Sequence, residues 1–582
     1  MKVMKLVWNW SARVAMLIVF ATAAMLPASA QTVTGSIYGT VGDASGAVIP
    51  QANVTVTNVD TGLSLSTKSS ASGTFVFPVL DPGTYRISTM IEGFESVTQK
   101  DLRLSANQNI NASFVLHAGS VNTEVTVDAG TTLVDTRESQ LGETIDQRRV
   151  QDLPLVGRSA YDLVQTVAGV TNYSASAQIG DNNGTQFSVN GLRPNLSSYY
   201  LDGSYDNEFQ RGGGNIMPNP DAVQEFRLLT TNFDAEFGRY PGGVVNVITR
   251  SGSNQYHGVA YDYLRNKALN APNYFTTGTT PLVYNVFGAA VGGPILRDKA
   301  FFYATYEGTR ISQPTTITSS SLVVPTLAER SGDFSADSAK VKASLKNLTT
   351  CGNPYVICPT ALDPVVQKML ALVPVGAPAN SATPGAPAQQ TMASPTKQDE
   401  GSLRLDYQLT PRHKLQATYF NSQSTSYSLN ARGNGILDYS GDTMSSAQYN
   451  YVLGDTWIVS DRAVNSLRIF DTLNKSTIGN SVNGNTWSDF GCAIGQNAPL
   501  NAQPFINITG YWIMGTAGSG QANDSQGAYG ILDTYNYTRG NHTLKFGGAY
   551  IVGHPPDGRS VSGCRQAGLH RQRHGQCPGR FS

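Results

Sequence analysis

The sequence predicts a mainly β chain, exported from the cytoplasm and built largely of long hairpin strands. Three observations predict it. Charged residues make up only 14% of the 582, while Gly, Ser, Thr and Asn abound and tyrosines (27) outnumber phenylalanines (21). That mixture suits strands, turns and polar loops rather than an ordinary soluble surface. The chain also opens with an export signal, and its second half alternates apolar and polar residues along hairpin after hairpin.

The export signal has three parts. Lys2, Lys5 and Arg13 precede an apolar run over 14–26, which closes on Ala28-Ser29-Ala30 with Gln31 next. The run falls short of the ~20 apolar residues of a membrane anchor. A small-x-small site points instead to cleavage between Ala30 and Gln31, so residues 1–30 are expected to be a signal peptide. Basic and acidic residues balance at 41 each, giving no reason to expect a nucleic-acid partner.

Of the five cysteines, none forms a CxxC pair, and no histidine cluster accompanies them. No metal or cofactor is expected. Cys351 and Cys358 lie close together in a polar stretch and could close a loop as a disulfide after export.

Residues 31–117 are expected to form a small antiparallel β-sandwich. Strand-like runs at 35–41, 52–58, 73–78 and 83–90 alternate and are spaced by turns. In "LDPGTYRI" (80–87), Asp81-Pro82-Gly83 makes a turn, and Tyr85 and Ile87 point to one face. This text resembles the carboxypeptidase regulatory-like domain, a transthyretin-like sandwich. The resemblance implies an accessory module, since the zinc ligands of a peptidase are missing. Some sandwiches of this shape bind carbohydrate.

Residues 146–254 hold the sharpest motifs. "VQDLPLVGRSAYDLVQTVAGV" (150–170) pairs a turn with the helix-period run Leu163, Val164 and Val167. "FSVNGLRPNLSSYYLDGSYDN" (187–207) and "PNPDAVQEFRLLTTNFDAEFGRYPGGVVNVITRSGSN" (218–254) follow. Val244, Val245, Val247 and Ile248 read as a buried strand. Asp202, Glu225, Glu236, Arg239 and Arg250 could be an acid–base set, but no nucleophile or metal accompanies them. They read better as ion pairs docking this domain against the wall of the barrel that follows it, and no catalytic residue is assigned.

From 255 to 551 the strands lengthen. In Ser402–Leu409, Leu403, Leu405, Tyr407 and Leu409 form an apolar face, with Arg404, Asp406 and Gln408 opposite. Short turns at 410–413, 460–462 and 539–541 alternate with long polar stretches near 310–400, 423–446 and 472–527. Short turns on one side and long loops on the other predict an outer-membrane barrel. Tyr261, Tyr263, Phe301, Tyr303, Tyr449, Tyr451, Tyr535 and Tyr537 read as an interfacial aromatic girdle, or simply as strand propensity.

Taken together, the motifs at 150–254, with "YHGVAYDYLRNKALNAPNYF" (256–275) and "FGAAVGGPILRDKAFFYATYEGTR" (287–310), resemble TonB-dependent outer-membrane receptors, especially the Oar-like group. The resemblance spans roughly residues 34–550. It implies an α+β plug domain inside a transmembrane barrel. It also implies uptake of a solute (siderophore, glycan or larger polymer), powered by the inner-membrane TonB complex, with outer-membrane lipid around the barrel. Within the linker 118–145, Glu124, Val125, Thr126 and Val127 have the character of a TonB box, the strand that such a partner adds to its own sheet. An ordinary linker or edge strand is the other reading. A surface adhesin or carbohydrate-binding sandwich without transport is the alternative function, distinguished by heat-modifiable migration of a closed barrel.

About nine spanning strands are counted, against about twenty-two for the plugged class of barrel. After Tyr550 the alternation stops, and residues 552–582 turn rich in Arg, Gly, His and Cys. The expectation is therefore a C-terminally truncated barrel, with a tail read out of frame; a functional basic tail is the alternative.

Overall fold

The computed structural model describes residues 34–554, apart from 107, 120–123, 129–139, 154, 156, 173–184, 209–211, 239, 272–280, 318–321, 338–341, 343–349, 376–385, 389, 430–440, 461, 480–488, 492–505, 509–511, 515–521 and 540–541. The cleavage site Ala30/Gln31, Arg239 and the tail from 555 onward lie outside the described residues.

The first unit holds β1 (Gly35–Asp43), β2 (Asn53–Asn58), β3 (Ser64–Lys68), β4 (Thr74–Leu80), β5 (Gly83–Met90), β6 (Ser96–Leu104), β7 (Asn109–Asn111), β8 (Phe114–Leu116) and β9 (Glu124–Asp128). Alternation along these strands buries Ile37, Val54, Val56, Phe75, Phe77, Tyr85, Ile87 and Leu102 between two sheets. Tyr85 and Ile87 do share the inner face. The sandwich is mixed rather than antiparallel, because β1 runs parallel to β7 and β8, and β6 runs parallel to β9. The candidate TonB box is thus the outer strand of the order β3-β2-β5-β6-β9.

The second unit comprises β10 (Leu141–Asp146), a short helix α1 (Gln147–Asp152), β11 (Val170–Asn172), β12 (Phe187–Val189), β13 (Ser198–Leu201), β14 (Ser204–Tyr205), β15 (Val223–Thr231) and β16 (Val244–Thr249). Its main sheet has the order β10-β15-β16-β13-β14, and the valine-rich β16 is buried on both faces at its centre. Strand β10, within the stretch read as linker, is an edge of this sheet. Leu163 and Val164 fall on a 3-10 turn over Ala160–Thr166 rather than on an α-helix, and both pack into the core.

The third unit is a sheet of nine strands: β17 (His257–Asn266), β18 (Val283–Leu296), β19 (Ala300–Ile317), β22 (Gln390–Thr410), β23 (His413–Leu429), β24 (Gly441–Ser460), β25 (Ala463–Gly479), β28 (Ala522–Arg539) and β29 (His542–Gly553). Between them, outer loops carry the small pairs β20 (Val323–Val324) with β21 (Ala386–Pro387) and β26 (Ile506–Ile508) with β27 (Trp512–Met514). Each long strand is antiparallel to the next. Among the described residues, β17 and β29 each have one long-strand neighbour.

The three expected short turns join β22 to β23, β24 to β25 and β28 to β29. The stretch 423–446, expected as a loop, is mostly strand, because β23 and β24 stay paired out to Leu429 and Gly441. Polar text there reflects strands standing clear of the hydrocarbon, where neither face must be apolar.

Alternation places Leu403, Leu405 and Leu409 outside, 37–46% exposed, and Arg404 and Asp406 inside, 6% and 4% exposed. Outer faces elsewhere show Leu453, Ile469, Phe546 and Tyr550. The aromatic girdle is only half as expected. Tyr449, Tyr451, Tyr535 and Tyr537 face outward, opposite in phase to buried Asn450, Val452, Thr534 and Asn536. Phe301 and Tyr303 instead face inward with Thr305 and Glu307. Tyr261 and Tyr263 also point inward, paired across from Gly288 and Val286. Strand propensity alone cannot tell the two faces apart.

The chain passes from plug to barrel wall at Gly252. A Cβ built there would lie 2.3 Å from the Phe302 carbonyl oxygen and 2.8 Å from that of Gly293. These are backbone atoms of paired strands and cannot yield cheaply. Gly252→Ala is expected to cost about 1–3 kcal/mol through overpacking. It should lower the thermal unfolding midpoint followed by circular dichroism; an unchanged midpoint would refute the assignment.

Candidate functional site, the seam between plug and wall

The inner faces of the nine strands meet the second unit through three polar clusters, one apolar seam and Phe420, which packs into the plug core. The first cluster is built on a two-residue turn. Leu201 pairs with Ser204, so Asp202 and Gly203 alone make the turn, with φ of 49° and 80°. An Asp-Gly pair adopts such left-handed geometry readily, which carries the Asp202 carboxylate outward from the sheet.

Asp202 is fully buried and accepts four hydrogen bonds or ion-pair contacts. The Thr249 amide and hydroxyl reach it at 2.9 and 2.6 Å, the Thr418 hydroxyl at 2.8 Å and Arg404 Nη1 at 3.4 Å. Arg404 also grips Asp406 with two parallel bonds of 2.9 and 3.1 Å and donates to the Thr249 carbonyl at 2.7 Å. Such a fork is the strongest geometry available to a guanidinium and a carboxylate. Arg468 Nε donates to the Asp202 carbonyl oxygen at 3.1 Å. Lys414 extends the cluster, 3.3 Å from Asp406 and paired with Asp81 of the first unit. Burial alone would raise the Asp81 carboxyl; the Lys414 charge outweighs it and holds the group below the usual range.

A second cluster centres on Arg158, which sits 2.5 Å from Asp221 and 2.8 Å from Glu307. Its guanidinium stacks 4.4 Å from the Tyr261 ring centroid and 5.0 Å from that of Tyr263. Tyr261 also donates to Glu307 at 2.7 Å. These contacts explain why two girdle candidates turn inward.

The third cluster is made of amides. Asn215 and Asn450 donate to Asp206 at 2.9 and 2.8 Å, and Gln448 clamps the backbone N–H and carbonyl of Ile216. Burial pushes Asp206 up to about 7 despite those bonds. The apolar seam joins Tyr200, Tyr205, Leu229, Phe237 and Val244 to Val452, Phe470, Ala528 and Leu532 of the wall.

The five charged residues singled out from sequence divide. Asp202 docks on the wall, and Glu236 pairs with Lys545 at 2.5 Å. Arg250 meets the wall through Tyr303, by a 3.1 Å hydrogen bond and a ring contact at 5.0 Å rather than by an ion pair. Glu225 does not face the wall at all. It accepts from the Ala106 amide of the first unit at 2.5 Å, while Arg227 donates to the Ala106 carbonyl at 2.9 Å. Burial pushes Glu225 up to about 7. Cys351 and Cys358 are bonded as a disulfide in the loop between β19 and β22. Sequence reasoning misses Arg158, Lys414 and Arg468; Arg404 and Asp406, two apart on the polar face of a strand, are legible as lumen-facing but not as partners of the plug.

Comparison with known proteins fits this architecture. The family "Outer membrane beta barrel domain" matches residues 248–554, more than half the chain. "TonB-dependent Receptor Plug Domain" matches 137–244, and "Carboxypeptidase regulatory-like domain" matches 36–117. The chain belongs to the TonB-dependent outer-membrane receptors.

It is 27% identical over 307 residues to the TonB-dependent transporter Oar of Myxococcus xanthus, covering 50% of this chain and 28% of Oar. It is 30% identical over 139 residues to the ferrienterobactin receptor of Escherichia coli, covering 22% and 18%. Among solved structures it resembles the outer-membrane transporter YddB of Escherichia coli, at 12% identity and a TM-score of 0.45, covering 71% of this chain and 48% of that one. The receptor chain thus spans less than half the length of each of these relatives. Those relatives are transporters and receptors rather than enzymes, and an adhesin reading is not favoured. This receptor is an outer-membrane protein.

Two predictions test the clusters. Asp202→Ala strands part of the Arg404 charge in a buried site, at a cost of about 3–5 kcal/mol. The thermal unfolding midpoint should fall well below that of Gly252→Ala. The second concerns pH. Glu225 titrates near 4.5 when unfolded and near 7 in place. The folded state therefore holds its proton more tightly, so this contribution is complete below 4.5 and lost as pH rises through 7. The unfolding free energy of the receptor relative to Glu225→Gln, from urea titration, should rise on acidification from pH 7.5 to 5 by about 2 kcal/mol. A pH-independent difference would refute it.

Proposed function

We propose that this receptor takes up a solute across the outer membrane by TonB-driven displacement of its plug. The observation that carries the reading is the character of the seam. Apart from the apolar seam and Phe420, which packs into the plug core, the plug is held by ion pairs and hydrogen bonds to strand faces, and water can replace such contacts as the plug moves. A purely structural core would be sealed by apolar packing instead. Transport on this reading is conformational, and no bond in the solute breaks.

The energising partner is the inner-membrane TonB complex, and Glu124, Val125, Thr126 and Val127 are the segment proposed to engage it. Strand β9 lies at the edge of its sheet, so one side of its backbone is available for strand addition. The first unit lies against the short-turn mouth, through Asp81 to Lys414 and through the Asn254 amide donating to the Asp60 carbonyl at 2.9 Å. In outer-membrane barrels that side faces the periplasm, where the partner would reach it. The solute class stays broad: siderophore, glycan or larger polymer.

The reading is tested by cross-linking in cells. Val125→Cys should form a disulfide with cysteine-substituted TonB when the inner membrane is energised, and Leu141→Cys, in the plug sheet, should not. Equal cross-linking at both positions, or none at Val125, would overturn the proposed contact.

A further inference from the structure

We infer that the seam holds a subsite for an organic cation, a solute group of the primary ammonium or guanidinium type, centred on Glu400. Glu307 and Glu400 are direct cross-strand partners on β19 and β22, and both face inward at 6% and 8% exposure. Like charges placed opposite each other on one sheet face repel. The two are not equally compensated. Glu307 is bound by Arg158 and Tyr261. Glu400 Oε1 accepts from Gln398 Nε2 at 2.5 Å, the Asn219 backbone also hydrogen-bonds the carboxyl, and the Arg158 charge acts on it, while Oε2 meets no donor in strict hydrogen-bond geometry.

A buried carboxyl with one unmet oxygen is costly to ionise, and a cation brought beside it would stabilise its charged form. Glu400 lines a cavity of about 520 Å³ between plug and wall, shared with Glu307, Thr185, Tyr161, Asn219 and Gln398, and with Arg158, whose guanidinium is committed to Glu307 and Asp221. The cavity runs along β19 and β22 past Gln313, Pro314, Ser394 and Thr396 toward the long-loop side, where solute would arrive. A second buried acceptor on its wall, the Thr185 hydroxyl oxygen, is also without a partner. Thr185 belongs to the plug and Glu400 to the wall, so an ammonium or guanidinium with several N–H donors would bridge the seam. A metal ion fits less well, since no group of three or more His, Cys, Asp or Glu side chains is placed to hold one among the described residues.

This inference rests on the uptake reading for its biological sense, but its test does not. Agmatine, which carries both cationic groups, is titrated calorimetrically into the full chain extracted from outer membranes in detergent, with calcium chloride and pentanoate as comparison probes. Saturable agmatine binding is expected, weakened about tenfold by Glu400→Gln, the scale of one charge-assisted hydrogen bond. Thr185→Val should weaken it severalfold and decides the matter if Glu400→Gln does not fold. Absence of agmatine binding, equal affinity of wild type and the folded variants, or binding of calcium in preference to agmatine would each overturn the subsite. The assay contains no TonB, so its failure leaves the transport reading standing, and failed cross-linking leaves the binding result standing.

Discussion

Arg404 is the point at which the three parts of the chain are tied together. Its guanidinium holds Asp406 on its own strand and Asp202 at the tip of the plug hairpin, and Lys414 carries the chain of charges on to Asp81 in the sandwich. A buried guanidinium is tolerated only when its donors are met, and here carboxylates and a backbone carbonyl from two units meet them. The plug therefore cannot sit elsewhere along the strands without abandoning that charge. Position, rather than stability as such, is what the cluster specifies.

Strand alternation made most of the architecture legible. A period of two in Ser402–Leu409 separates lipid face from lumen face without any knowledge of partners, and Leu405 and Arg404 fall where that period puts them. Short turns such as 410–413 are legible for the same reason, since only a few residues separate two alternating runs. The partners themselves are not legible. Glu225 reads like Asp202 as a lone acid in a plug motif, yet one meets the sandwich and the other the wall. That choice depends on how β15 and the Asp202 turn face in three dimensions, across sequence distances of more than a hundred residues.

The aromatic pairs show the same limit from another side. Tyr535 and Tyr303 both alternate in strands with similar propensity. Tyr303 turns inward because Arg250 offers its hydroxyl a hydrogen bond and its ring a cation, whereas nothing in the local text of either strand records this. Polar stretches mislead in the opposite sense: the sequence around 423–446 looks like a loop because strands clear of the bilayer no longer need an apolar face. Register, held by seventeen cross-strand pairs between β23 and β24, overrides that composition.

The division of each ionic cluster between the wall and the units seated on it has an electrical consequence. In the first cluster Asp81, Asp202 and Asp406 balance Arg404, Lys414 and Arg468, so the seated assembly is neutral there. Withdrawal of plug and sandwich takes away Asp81 and Asp202, leaving three cations and one anion on the wall. In the second cluster the same withdrawal removes Arg158 and Asp221 and leaves Glu307 beside Glu400. An emptied lumen would thus be polarised along its length, negative toward the long loops and positive toward the short turns. On the uptake reading proposed above, a solute would meet a field that the seated assembly does not possess.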